Sequence, residues 1–166
     1  MASRGSPELD GDGEVLSAAI RGIRRLRGFT SAETAVGMHL ALRTYQDFEA
    51  GRGRLNIDYV HRFCQFVDAD PDAIIASLAI GSPDFAIRCA SNKLMRIVMI
   101  GVQQLNAQLG DKLSALDARA IVATVNASVR DLVEKSAGGD EADWLKAGED
   151  ELQRARPRPG LSLIHI

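Results

Sequence analysis

Arg43, Thr44, Gln46 and Asp47 lie within one short stretch, and each carries a side chain suited to the groups a nucleic acid exposes. Arginine matches guanine O6 and N7, glutamine reads adenine, aspartate accepts from cytosine N4, and a threonine hydroxyl serves base edges or phosphates. The intervening Leu42, Tyr45 and Phe48 recur at i, i+3 and i+6. That spacing gives a helix ending at Glu49-Ala50-Gly51, with one apolar face and the four polar residues on the other. For Gln46 and Asp47 a solvated helix surface is the competing reading, and Leu42 suits either the core or a thymine methyl group. Immediately downstream, Arg52 and Arg54 alternate with Gly51 and Gly53, so two guanidinium groups stand on a backbone whose glycines permit close approach to a phosphate.

Such a face needs elements to hold it. From Thr30, a first short helix carries small or apolar residues at Ala32, Ala35 and Val36, and a tight turn follows. Two short amphipathic helices locked across one another, with the second presenting a polar outer face, describe a helix-turn-helix DNA reader. Here the sequence resembles the Cro/phage-repressor (Xre-like) helix-turn-helix family over roughly residues 15–80. The residues that carry the resemblance are Gly28-Phe29-Thr30 before a helix, Glu33-Thr34-Ala35 inside it, and Phe48-Glu49-Ala50-Gly51 closing the next. The loop Arg52-Gly53-Arg54-Leu55-Asn56-Ile57 and the cap Asp70-Pro71-Asp72 complete the order. The chain departs from the family pattern with His39 in the turn, Ala41 at the cap of the second helix and Ser31 at the opening of the first. The resemblance implies base-reading positions at Leu42, Arg43 and Asp47. It also implies phosphate contacts from Arg52, Arg54 and the Ser31 position, and a structural ion pair between Arg24 and Glu49. The alternative for that pair is two exposed charges of little worth.

The net charge of −2 hides a gradient. Between Ile20 and Phe66 there are eight arginines against four acids, a net of +4, whereas Gly138 to Arg156 is net −3. A local basic field is what attraction to phosphates requires. Aromatic residues make up only 5% of the chain, so the core must be aliphatic, which suits helices. Cys64 and Cys89 lie in apolar helical stretches without a CxxC spacing and read as small buried hydrophobes in a reduced cytoplasm. His39, His61 and His165 fall at no metal-ligand spacing, so neither a metal site nor a cofactor is expected. No nucleophile elbow, phosphate-cradling glycine loop or HExxH occurs, and an enzyme is not expected. The N-terminus is polar and acidic, with no signal peptide expected, and Ile97–Val102, the longest apolar run, is far too short to span a membrane.

The expected fold class is all-α. Residues 1–13, rich in Gly, Ser, Asp and Pro, are expected to be disordered. Residues 14–80 are expected to form a five-helix, lambda-repressor-like helix-turn-helix domain, and residues 83–137 a helical hairpin for dimerisation or sensing. The arms of that hairpin are one long helix from Asp84 to Leu109 and a second from Ser114 to Ser136. An acidic, then Arg/Pro-rich, tail follows at 138–166, where Trp144 and Leu145 are candidates for local packing. The stretch Leu94 to Val102 is apolar almost all round, and two helices cannot cover such a segment. Either the N-terminal domain or a second copy of the chain must bury Leu94, Ile97, Val98, Ile100 and Val102. The second copy is the expected partner, because half-site reading calls for a dimer. Together these features lead to the expectation of a cytoplasmic, sequence-specific transcriptional regulator that binds double-stranded DNA as a homodimer through helix 41–49. The alternative is an antitoxin or adaptor acting through protein contacts, for instance with RNA polymerase.

Overall fold

A computed structural model describes residues 7–136, 146–151 and 154, with side chains from Gly11 onward. The chain divides into two units, Met1–Leu109 and Gly110–Ile166. The first contains α1 (Pro7–Leu26), α2 (Ser31–Gly37), α3 (Leu42–Glu49), α4 (Ile57–Val67), α5 (Pro71–Ile80), α6 (Pro83–Cys89) and α7 (Leu94–Leu109). The second contains a 3-10 turn at Gly110–Ala115 and α8 (Ala118–Ser136). The described residues include no strand, so the chain is all-helical there. No helix among them is long and apolar enough to cross a membrane.

The core of the first unit forms around α1, whose Leu16, Ala19, Ile20 and Ile23 lie at helical spacing and are all buried. Tyr45 and Phe48 of α3, Val60, Phe63 and Val67 of α4, and Ile74 of α5 close on the same cluster. Helix ends are placed by side chains. Asn56 Oδ1 accepts from the Tyr59 N–H at 3.1 Å at the start of α4, and Asp70 Oδ1 accepts from the Ala73 N–H at 3.1 Å at the start of α5. Each cap satisfies a backbone donor that the helix itself leaves free.

Four expectations need correction. The stretch 1–13 is not wholly irregular: α1 begins at Pro7 and runs through Gly11 and Gly13. Glycine inside a helix is unfavourable in isolation, but Gly13 lies directly against Gly51, where a Cβ would come within 2.7 Å of the Gly51 carbonyl oxygen. The glycine here permits a close helix-to-loop contact, where composition alone suggested a break.

The single helix expected over Asp84–Leu109 is two. Lys93 takes a left-handed conformation, φ 57°, with its ammonium 2.9 Å from Asp68 Oδ1. Asn92 Oδ1 then accepts from the Leu94 N–H at 3.0 Å and Asp70 Oδ2 from the Arg96 N–H at 3.0 Å, so α7 starts afresh with its own caps. In the second unit the helix expected from Ser114 starts at Ala118. The Ser114 hydroxyl donates to the Asp111 carbonyl at 2.9 Å inside the 3-10 turn and caps no α-helix.

The buried faces of α2 and α3 also differ from the expected ones. Ala32 and Val36 are exposed, and α2 buries Thr34 and Ala35 with Met38 just beyond. Leu42 is 44% exposed, so α3 buries Tyr45, Phe48 and Glu49 instead of Leu42, Tyr45 and Phe48. Leu42 is the first residue of its helix, one turn outside the contact that Tyr45 makes. The expectations for residues 1–6 and for most of the 138–166 tail, Trp144 included, lie outside the described residues.

Candidate nucleic-acid interface

The polar face is built from the turn upward. Thr30 caps α2 with a reciprocal pair: its hydroxyl accepts from the Glu33 N–H at 3.2 Å, and Glu33 Oε2 accepts from the Thr30 N–H at 2.8 Å. These hydrogen bonds hold the Glu33 carboxyl below its ordinary range. The turn between α2 and α3 closes through Met38 N–H to Thr34 O at 2.9 Å and Leu40 N–H to Ala35 O at 2.9 Å. His39 sits at φ 56°, the left-handed position where glycine is cheapest and histidine among the better-tolerated alternatives. Ala41 stands at the cap of α3 and supplies no side-chain hydrogen bond there, which leaves the first N–H groups of α3 without a side-chain acceptor from the cap.

Above this turn α3 exposes Leu42, Arg43, Thr44 and Gln46 side by side, with Asp47 half-buried at their edge. Arg52 and Arg54 follow in a loop shaped by Gly51 (φ 69°) and Gly53 (φ 79°). The two arginines differ in their surroundings. Arg52 Nη1 lies 2.8 Å from Asp47 Oδ1, whereas Arg54 makes no ion pair among the described residues. Arg43 Nε lies 3.6 Å from the other Asp47 oxygen. A cleft of about 220 Å³ runs beside α3, lined by Thr44, Asp47, Phe48, Arg52, Arg54, Asn56 and Tyr59. Sequence reasoning did not assign Asn56 or Tyr59 to this face. Asn56 was legible as a cap before an amphipathic run, and the cap places Tyr59 one turn further on.

Beneath the face, Arg24 and Glu49 meet. Arg24 Nε donates to both Glu49 oxygens at 3.2 Å and Nη2 to Oε1 at 2.7 Å, while Nη1 donates to the Phe29 carbonyl at 2.9 Å. Arg21 Nε approaches the same carboxylate at 3.5 Å. Burial pushes the Glu49 carboxyl up, but the hydrogen bonds from Arg24 and the charges of Arg24 and Arg21 outweigh burial and hold it below the ordinary carboxylate range. The hydrogen bond to Glu49 raises Arg24 in turn. Ser31 belongs to this cluster too: its hydroxyl donates to Glu49 Oε2 at 3.4 Å, so it joins the interior of the helix pair to its half-exposed edge. The Tyr45 hydroxyl is buried beside Glu49 and Thr34 without completing a hydrogen bond, and burial pushes its pKa up.

Other candidate chemistry lies away from this face. Burial pushes the Cys64 thiol up to about 12, far from a reactive thiolate. No group of three His, Cys, Asp or Glu among the described residues is placed to hold a metal ion. Of the residues expected at a dimer interface, Leu94 is half-buried, while Ile97, Val98, Ile100 and Val102 are between 43% and 61% exposed. Comparisons of the chain with protein-family models, curated proteins and solved structures find no match.

Proposed function

We propose that the chain is a sequence-specific transcriptional regulator that binds double-stranded DNA, with α1 to α5 acting as a Cro/phage-repressor-like helix-turn-helix domain and α3 as the recognition helix. The observation that carries this reading is the outer face of α3. Leu42, Arg43, Thr44 and Gln46 are presented together on a helix whose inner face is locked by Tyr45, Phe48 and the Glu49–Arg24 pair. Arg52 and Arg54 stand at the end of that helix and border the same cleft. In this reading Arg43 and Gln46 read base edges, Leu42 meets a thymine methyl, and Arg52 and Arg54 bind phosphates. The protein acts without catalysis, in the cytoplasm, and as a homodimer whose recognition helices enter successive major grooves about 34–36 Å apart.

The test is a fluorescence titration of duplex DNA at several salt concentrations. Binding is expected to weaken linearly in log K against log salt, and Arg52→Ala and Arg54→Ala are each expected to lower that slope by about one unit on every duplex alike. A flat slope in the wild type overturns the reading. Arg43→Ala is expected to cost about 1–3 kcal/mol on the preferred site and to relax selectivity at one base pair. A binding selection that returns an unchanged consensus for this variant removes Arg43 from base reading.

A second reading rests on a different observation. α7 and α8 each bury no residue and expose long apolar runs, with Ile121, Val122, Val125, Val129, Leu132 and Val133 all more than 44% exposed on α8. An antitoxin or adaptor that works through protein contacts, with RNA polymerase or another protein, would use those faces, and its DNA binding would lack the steep salt slope.

A further inference from the structure

Asp47 is the only acidic residue on the outer side of α3; the other acid of that helix, Glu49, is buried and neutralised by Arg24. Each Asp47 oxygen faces a different arginine. Oδ1 lies 2.8 Å from Arg52 Nη1, and Oδ2 lies 3.6 Å from Arg43 Nε. The backbone fixes the same geometry, because the Arg52 N–H donates to the Asp47 carbonyl at 3.0 Å where the chain leaves α3. The pairs are exposed, with Arg43 79% and Arg52 64% accessible, so they are weak and easily exchanged for another anion.

We propose that Asp47 stands in for a DNA phosphate in the free protein and thereby sets specificity: it withholds Arg43 from duplexes that offer phosphates alone, while Arg52, which gives Asp47 only Nη1, keeps its other donors for a phosphate on any duplex. This inference rests on the reading of α3 as the DNA-facing helix. On a random duplex the only anions on offer are backbone phosphates, and one that takes Arg43 must displace Asp47 from it while the uncompensated carboxylate repels the strand. On a preferred site Arg43 turns to a guanine edge, whose acceptors are neutral. Asp47 then remains within reach of Arg52 and carries less of a penalty. A negative group on a positive reading face therefore lowers non-specific affinity more than specific affinity, which is discrimination by repulsion as well as attraction.

The neighbouring charges separate this effect from bulk electrostatics. Asp58, in the first turn of α4, is paired with Arg62 at 2.9 Å and forms no ion pair with Arg43 or Arg52. Asp58→Asn therefore removes the same unit of charge from the same domain without freeing an arginine of the face.

The experiment compares wild type, Asp47→Asn and Asp58→Asn on a random-sequence duplex and on a duplex selected by the wild type from a randomised pool, from about 50 to 200 mM salt. Asp47→Asn is expected to tighten binding to the random duplex about tenfold and to steepen its salt slope by about one unit, the signature of one more phosphate contact. Its ratio of selected to random affinity is expected to fall about tenfold, with Asp58→Asn leaving that ratio within twofold of wild type. Equal effects of the two variants, or an unchanged ratio in Asp47→Asn, overturn the role of Asp47 while leaving DNA binding intact. Absence of salt-dependent duplex binding in all three folded proteins overturns the DNA reading itself, and the role of Asp47 with it.

Discussion

Glu49→Ala is expected to cost the first unit about 3–5 kcal/mol, the range for breaking a buried pair by removing one partner. The Glu49 side chain is 6% exposed and that of Arg24 12%, so alanine strands a guanidinium in a site with little access to water. Arg24 keeps one acceptor, the Phe29 carbonyl at 2.9 Å, but loses three charge-assisted contacts. Against a typical domain stability of about 5–15 kcal/mol, the loss is large enough to shift a urea midpoint clearly. Replacing both partners, as in Arg24→Met with Glu49→Leu, is expected to recover most of it, because the penalty lies in the uncompensated charge and the pair itself contributes little. The pH dependence follows from the depressed Glu49 carboxyl. A group whose folded pKa lies below its unfolded value contributes stability that is fully present above the unfolded value, near 4.5, and is lost as pH falls through the folded one. Glu49→Gln is expected to lose this acid-labile portion at all pH values, so its stability falls less steeply below pH 4.5 than that of wild type. A Glu49→Ala protein within 1 kcal/mol of wild type, measured in urea at neutral pH, overturns this account.

The pair at Arg24 and Glu49 was legible because chain order and spacing imply it through the family resemblance, and helical periodicity places both residues near the inward side. The core of α1, α4 and α5 was legible for the simpler reason that Leu16, Ile20, Ile23, Val60, Phe63, Val67 and Ile74 repeat at three- and four-residue steps. The break before α7 was not. It depends on Lys93 in a left-handed conformation and on Asp68, Asp70 and Asn92, of which Asp68 and Asp70 are more than twenty residues away in sequence from the groups they hold. Periodicity sees none of these. The exposure of Val36 and Leu42 was missed because hydrophobicity alone does not say which of two neighbouring apolar stripes faces the core; Thr34 buries fully because its hydroxyl donates to the Thr30 carbonyl at 2.8 Å. The ion pairs around Asp47 were hidden for a related reason. Arg43 and Asp47 are an ordinary i, i+4 pair, but Arg52 reaches the same carboxylate only because the chain turns back at Gly51.

Val98→Asp is expected to convert a dimer into a monomer with the first unit still folded. Ile97, Val98, Met99, Ile100 and Val102 are 43–61% exposed in the single chain, on a helix that packs against α5. Only Leu94 and Met95 at its start and Leu109 at its end are half-buried, so the N-terminal domain does not cover the run between them. An apolar run of that kind is costly to leave in water, at about 25 cal/mol for each Å² of apolar surface, and a two-fold partner offers the same run in return. α7 contributes one charge, Arg96, which is tied to Asp72 at 3.2 Å and stands clear of the apolar run. A carboxylate at Val98 therefore finds no cation on its own helix to pair with. Desolvating it in an interface costs several kcal/mol, and every 1.4 kcal/mol is about tenfold in Kd, so association is expected to weaken by about a hundredfold or more. The buried residues of α1, α3 and α4 are untouched, and far-ultraviolet helicity is expected to match wild type. Sedimentation is then expected to show a monomer that binds a two-half-site duplex poorly and a single half-site as well as wild type does. That last comparison separates loss of assembly from loss of the reading face. A wild-type chain that sediments as a monomer at tens of micromolar removes the dimer. The exposed face of α7 then belongs to a protein of another kind, the arrangement in which an antitoxin or adaptor would use it.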